Sequence, residues 1–323
     1  MRYLDLLHAC WGMFYAVVIR GPRRTRRILA ELDDLLAKHD QSLSTDHRKR
    51  IRNYIIGISV TSEWFNQLHG RKLTREEENY ALWLGAFTPL ADDTMDSTGR
   101  SFESVVEDTS GSTAESICIR YLYENLQVLI AKSPTFAREF KVAHEAQNES
   151  LKQLEDAELS VDEIRAISFK KGGHYTTLYR SIILEEPVAG EFEAIHPLGC
   201  HMQLLNDTVD LYKDSHEGVK TLMTSTCDIY FMEREFETLE EEFFRRLQVV
   251  DYPVKRRNRF YLSAQLIMTR SRIAVDFYKD VQGQKDRIDV GEFDRKSLIV
   301  DMELPLNLLK NFILVARKTQ NLR

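Results

Sequence analysis

Apolar residues recur along this chain at helical spacing almost throughout, and no convincing alternating run marks a strand. Residues 1–20 read as a helix with an apolar face. The segment 21–27, Gly-Pro-Arg-Arg-Thr-Arg-Arg, reads as a basic joint into a helix at about 26–39. Ser44, Thr45 and Asp46 offer the next start, with Ile51, Ile55, Ile56, Val60 and Phe65 as its apolar positions. Thr74 and Glu77 have capping-box spacing. They open a helix through Tyr80, Leu82, Leu84, Phe87 and Leu90, which Ser97, Thr98 and Gly99 close. Further helices are predicted near 113–131, 135–156, 161–185, 190–213, 220–247, 253–281 and 291–318. About ten helices with short joints, no low-complexity linker and no repeat period predict one all-α domain over 1–323, an antiparallel helical bundle with residues 1–40 packed on it.

Composition agrees with that pattern and narrows the chemistry. Glycine (14) and proline (7) are scarce in 323 residues, so few positions break a helix. The net charge of −6 argues against nucleic acid as the main partner. Cys10, Cys118, Cys200 and Cys227 form no CxxC pair and read as buried thiols in a reducing compartment. The apolar run at 9–19 is too short to span a bilayer and no small-residue cleavage pattern follows it. It reads as a first core helix, no later run is long enough to be transmembrane, and the expectation is a cytosolic protein. A homodimer is compatible with all of this.

Two acidic clusters change the picture. Asp92, Asp93 and Asp96 follow the apolar stretch 81–91, and helical geometry puts Asp92 and Asp96, at i and i+4, on one face. Carboxylates this close repel one another unless cations or solvent relieve them. About 110 residues later, the apolar stretch 197–205 leads into Asn206, Asp207, Asp210 and Asp214. In a continuous helix Asn206, Asp210 and Asp214 form an oxygen-bearing stripe. A solvated helix end is the ordinary alternative for either cluster. Two such clusters, each closing an apolar helix, suit Mg²⁺, which takes one or two carboxylates together with waters and phosphate oxygens.

Positive charge lies between them. Lys170 and Lys171 precede Gly172 and Gly173 inside the helix predicted at 161–185. A glycine pair there costs about 1 kcal/mol per residue relative to alanine, which predicts a kink whose freed backbone groups and Lys171 face an anion. A simple break with solvated lysines is the alternative. Lys220, just after Gly218, and Arg259 with Tyr261 are further candidates for the same anion.

These motifs together resemble the class I isoprenoid synthases. Asp92-Asp93-Thr94-Met95-Asp96 matches that superfamily's DDxxD motif. Asn206, Asp210 and Asp214 resemble the terpene-synthase triad with Asp210 and Asp214 in place of Ser/Thr and Glu. The same stretch also resembles the prenyltransferase DDxxD, with Asn206 replacing the first aspartate, and Gln203, Gly218 and Lys220 fit that context. Lys171-Gly172-Gly173 resembles the helix break that senses diphosphate. The likeness covers about residues 75–280. It implies a trinuclear Mg²⁺ site held by Asp92, Asp93, Asp96, Asn206, Asp207, Asp210 and Asp214. Lys171, Gly172, Gly173, Lys220 and Arg259 would meet the diphosphate of a prenyl substrate. Trp64, Phe65, Trp83, Phe87, Tyr175 and Tyr179 are candidates for the walls around a carbocation, with Asp92, Asp96, Lys171, Arg259 and Tyr261 as catalytic residues. The N-terminal Gly-Gly-Lys…Arg-Pro element of chain-elongating prenyltransferases is absent, and Arg100 stands alone where they carry an Arg-Arg pair. Both departures favour a one-substrate terpene synthase over a prenyltransferase joining two units, head-to-tail or head-to-head. A helical protein that binds a prenyl diphosphate without turning it over is the non-enzymatic alternative.

Overall fold

A computed structural model describes residues 2–108, 111–154, 158–302 and 304–318. These residues are all-α, with no strand among them. Their contacts gather into two compact units. The first holds Met1–Cys10, Lys152–Thr177 and Pro187–Arg323, and the second Trp11–Leu151 and Leu178–Glu186.

The second unit begins where the sequence is misleading. A π-helical turn (Tyr15–Arg20) carries the chain from α1 (Arg2–Phe14) directly into α2 (Gly21–Ala37). The expected basic joint at 21–27 is therefore the opening of a helix. Pro22, which has no N–H to continue the ladder, follows directly on the π-helical turn, where the Gly21 N–H bonds the Ala16 carbonyl. Arg24 turns inward and donates to Glu78 at 2.8 Å and Ser59 at 3.2 Å, so a basic run can be a buried helix face. The 9–19 run is only partly a core helix: Ala16 is buried, but Trp11 is 62% and Phe14 48% exposed.

Helix α3 (Thr45–His69) opens at Ser44, whose hydroxyl accepts the His47 N–H, and ends at left-handed Gly70. Helix α4 (Arg75–Thr98) opens with the predicted capping box. Thr74 Oγ1 accepts the Glu77 N–H at 3.2 Å and Glu77 Oε2 accepts the Thr74 N–H at 2.7 Å. It closes at Gly99, where φ is 64°. α4 packs on α3 and on α6 (Ala114–Lys132), with α5 (Phe102–Val106) and α7 (Pro134–Ser150) completing the unit. The helix expected at 135–156 stops at Ser150 and continues as a 3₁₀ turn through Leu154. Its expected end at 155–156 lies outside the described residues.

In the first unit the predicted helices shorten and divide. α8 (Val161–Ser181) is unbroken. α9 (Glu191–Val209) and α10 (Leu211–Glu217) replace the helix expected to run to 213. α11 (Leu222–Thr226) and α12 (Ile229–Val249) are parted at Cys227, whose φ of 48° is left-handed. α13 (Val254–Met268) and α14 (Arg270–Gln282) turn at Thr269. The helix expected at 291–318 reduces to two 3₁₀ turns and α15 (Pro305–Lys318). The core forms where α9 lies on α12 and α14, around Leu204, Leu211, Met232, Phe236 and Tyr278.

Candidate functional site

The first acidic cluster belongs to the second unit, at the C-terminal end of α4. Leu90, Ala91 and Met95 anchor this last stretch in the core. The cluster is graded by depth: Asp92 is buried, Asp93 half-buried and Asp96 exposed. Asp93 pairs with Arg50 of α3 at 2.5 Å, and Asp96 accepts a long hydrogen bond from Gln147 of α7 at 3.4 Å. Tyr54 of α3 and Tyr179 lie near Asp92. Burial, and then the Asp92 charge, raises the Tyr54 hydroxyl well above its usual value; burial is also the main cause for Tyr179. Both phenols therefore remain hydrogen-bond donors at neutral pH.

The second cluster belongs to the first unit, and its geometry differs from the expected stripe. The helix breaks at Asp210 (φ −89°, ψ 9°), although the backbone hydrogen bonds Asp210 to Asn206 and Asp214 to Asp210 persist on either side. Asn206 is exposed, whereas its neighbour Asp207 is 3% exposed and Asp214 6%. The inward residues are thus Asp207 and Asp214, seven apart, with half-buried Asp210 between them. Asp207 Oδ1 accepts from Gln203 at 2.7 Å, while its buried Oδ2 has no hydrogen bond of ordinary geometry. Burial pushes the Asp207 carboxyl up to about 7. The Asp214 charge adds to this, and Gln203, Lys171 and Ser168 oppose it. Burial likewise raises Asp214 to about 6, against the pull of Lys213 and Lys171.

Helix α8 supplies the facing charge, without the predicted kink. The glycine pair serves a close crossing with α9 instead. A Cβ at Gly172 would stand 2.5 Å from the Gly199 carbonyl oxygen, and one at Gly173 would stand 2.2 Å from the His196 ring. A Cβ at Gly199 would meet the Gly172 oxygen at 2.3 Å. Backbones this close leave no room for side chains, so the glycines are required by packing and the α8 backbone stays paired. The crossing sets half-buried Lys171 near Asp207 and Asp214, and Tyr175, one turn on, is half-buried on the same face.

Asp214 also lines an open cleft of about 610 Å³ with Glu158, Gly218, Lys220 and Thr224. Gly218 is left-handed (φ 73°) and turns the chain so that the backbone of Lys220 pairs with Gln153. The expected lysine therefore stands in the same cleft as an acidic residue of the cluster.

The remaining candidates have other work. Arg259 donates to Asp5 at 2.8 Å, and Tyr261 is buried against Phe243 and Phe244. Neither is among the groups that set the charges of Asp207 and Asp214. Phe87 is fully buried in an aromatic nest with Phe102, Tyr123, Phe140 and His144. Trp64 and Phe65 are core residues, and the Trp83 indole donates to Glu31 at 2.8 Å. Sequence reading missed Arg50, Tyr54 and Ser168. Arg50 lies 42 positions before Asp92, and no motif spacing links them.

Among the described residues no three His, Cys, Asp or Glu side chains come close enough to cage a metal ion. Mg²⁺ needs only one or two carboxylates, because it keeps waters and borrows phosphate oxygens. Asp207 and Asp214, both buried and both near Lys171, match that demand.

No family model matches the sequence, and no curated protein matches it. Among solved structures, the chain is similar to a geranylgeranyl pyrophosphate synthetase from the archaeon Geoglobus acetivorans. The likeness has a TM-score of 0.49 and 16% sequence identity, and covers 75% of this chain and 95% of that one.

Proposed function

We propose that the chain is a Mg²⁺-dependent enzyme of the class I isoprenoid synthase type. It would ionise a prenyl diphosphate, cyclise or rearrange the carbocation and release diphosphate. The observation that carries this reading is the Asp207 carboxylate, buried beside buried Asp214 and half-buried Lys171. Such a carboxylate is costly to bury unless a cation or proton meets it. The match of Asp92-Asp93-Thr94-Met95-Asp96 to the DDxxD motif supports the same chemistry.

Mg²⁺, when bound, would stabilise the negative charge that develops on the leaving diphosphate. Asp207 and Asp214 would hold it in the first unit, and Asp92 with Asp96 in the second. Lys171 would place a positive charge toward the anion, where it counts most in a water-poor site. Tyr175, on the same face of α8, would offer an aromatic surface to the hydrocarbon.

A second reading, a prenyltransferase, rests on the resemblance of the stretch from Asn206 to Asp210, with Gln203, Gly218 and Lys220 around it, to the prenyltransferase motif. One experiment tests both. The protein is incubated with Mg²⁺ and allylic diphosphates of ten, fifteen, twenty and twenty-five carbons, with and without isopentenyl diphosphate. Diphosphate release and products are followed by mass spectrometry. Cyclic or rearranged products from one substrate support the first reading, and isopentenyl incorporation the second. Tight Mg²⁺-dependent binding without diphosphate release would replace both with a binding protein.

A further inference from the structure

The long N-terminal rod of the second unit carries a surface that the proposed chemistry does not use. Its inner side is Ala16, Gly21, Arg24, Thr25 and Ile28, all buried. On its outer side Trp11 is 62%, Phe14 48% and Val18 52% exposed, recurring at i, i+3 and i+7. The Trp11 and Phe14 rings stack at 5.7 Å, so the two form one apolar plate.

Immediately after the plate, Arg23 and Arg26 are exposed. The neighbouring arginines are committed elsewhere: Arg20 to Glu63, Arg24 to Glu78 and Arg27 to Asn79. Among the described residues no carboxylate pairs with Arg23 or Arg26. Residues 6–30 contain five arginines and no Asp or Glu, so the stretch has one sign along its whole length.

We propose that this face docks on a bilayer surface bearing anionic phosphate headgroups. Trp11, Phe14 and Val18 would enter the headgroup–acyl boundary, with Arg23 and Arg26 on the phosphates. An indole and a phenyl ring exposed together suit a membrane interface, and adjacent unpaired arginines complement anionic lipid. No helix among the described residues is long and apolar enough to cross a membrane, so the contact is one of lying on the surface. The same face of a second copy fits less well, because it carries no acid to meet the arginines.

The test is sedimentation of the full chain with phosphatidylcholine vesicles, with and without phosphatidylserine. Binding is expected only with phosphatidylserine and should weaken as salt rises. Two double variants, Trp11→Ser with Phe14→Ser and Arg23→Glu with Arg26→Glu, should each lower the bound fraction on the order of tenfold. Their circular dichroism and melting should match the parent. Because Trp64 is buried and the Trp83 indole is bonded to Glu31, Trp11 should dominate any blue shift of tryptophan emission on vesicles. Equal binding by the parent and both variants would overturn the proposal. So would failure of the parent to bind phosphatidylserine vesicles. Vesicle-free dimerisation abolished by the Trp11/Phe14 change would assign the face to a second copy instead.

Discussion

At the second acidic cluster the buried side chains are Asp207 and Asp214, each raised by burial and each near Lys171. Strict i, i+4, i+8 spacing selected Asn206, Asp210 and Asp214, whereas the buried pair is Asp207 and Asp214, which at i and i+7 share a face across the break at Asp210, and Asn206 is exposed. No residue type at 210 announces that break, since aspartate is common both inside helices and at their ends. The difference can be tested. Asp207→Asn should lower diphosphate release on the order of a hundredfold and abolish the rise in melting temperature with Mg²⁺. Asn206→Ala should change both much less; equal losses would restore the stripe. Asp92→Ala should be as damaging as Asp207→Asn while far-UV circular dichroism stays unchanged, because α4 keeps its capping box and its core anchors Leu90, Ala91 and Met95. A second residue-scale prediction concerns acid stability. Burial holds His144 near 4 and His201 near 3, below the ordinary 6.5. The unfolded chain therefore takes up protons first, so stability is full above about 6.5 and falls as pH drops toward 4. His144→Phe, which suits the aromatic nest, should flatten the drop in melting temperature between about pH 7 and about pH 5. A drop as steep as the parent's would remove His144 as a cause.

At the element scale most helices were legible, because capping residues and apolar period agree there. Thr74 with Glu77, Ser44 and Gly99 act as their types suggest. Two of the failures share one physical cause: a glycine or basic residue can be selected by a partner helix as well as by local conformation. Gly172 and Gly173 read as a kink, yet they permit the α8–α9 approach. Arg24, expected in a joint, is drawn into a helix by Glu78. Gly172→Leu should destabilise the protein by about 3 kcal/mol or prevent folding, because the side chain would overlap Gln203 and the Gly199 backbone. Lys171→Met, one position earlier, should leave the melting temperature of the free protein nearly unchanged. It should weaken Mg²⁺-dependent pyrophosphate binding, read by calorimetry, about tenfold. Unchanged pyrophosphate binding would shift the assignment to Lys220.

At the scale of the whole molecule, composition foretold the all-α architecture but not the grouping of contacts into two units, each assembled from separated stretches of chain. Long-range pairing between such stretches leaves no local mark. Glu77 is the clearest case. The capping box was readable, but not that Glu77 would be 1% exposed and accept hydrogen bonds from Arg71, Thr74 and the Leu184 N–H. Burial would raise this carboxyl, yet Arg71 and the two amides hold it at about 2. Its contribution is present above about 4.5 and is lost as pH falls toward 2. Glu77→Gln should cost about 2 kcal/mol at neutral pH, measured by urea denaturation. The Leu184 amide lies 107 positions beyond Glu77. On the ribosome, α2 to α7 therefore emerge before the strip at 178–186 that completes their unit. Until it arrives, a carboxylate meant for the interior lacks one of its donors, and the nascent chain has reason to remain loose and open to chaperones. A chain stalled before residue 178 should be cleaved readily by protease, whereas one stalled well after 186 should resist.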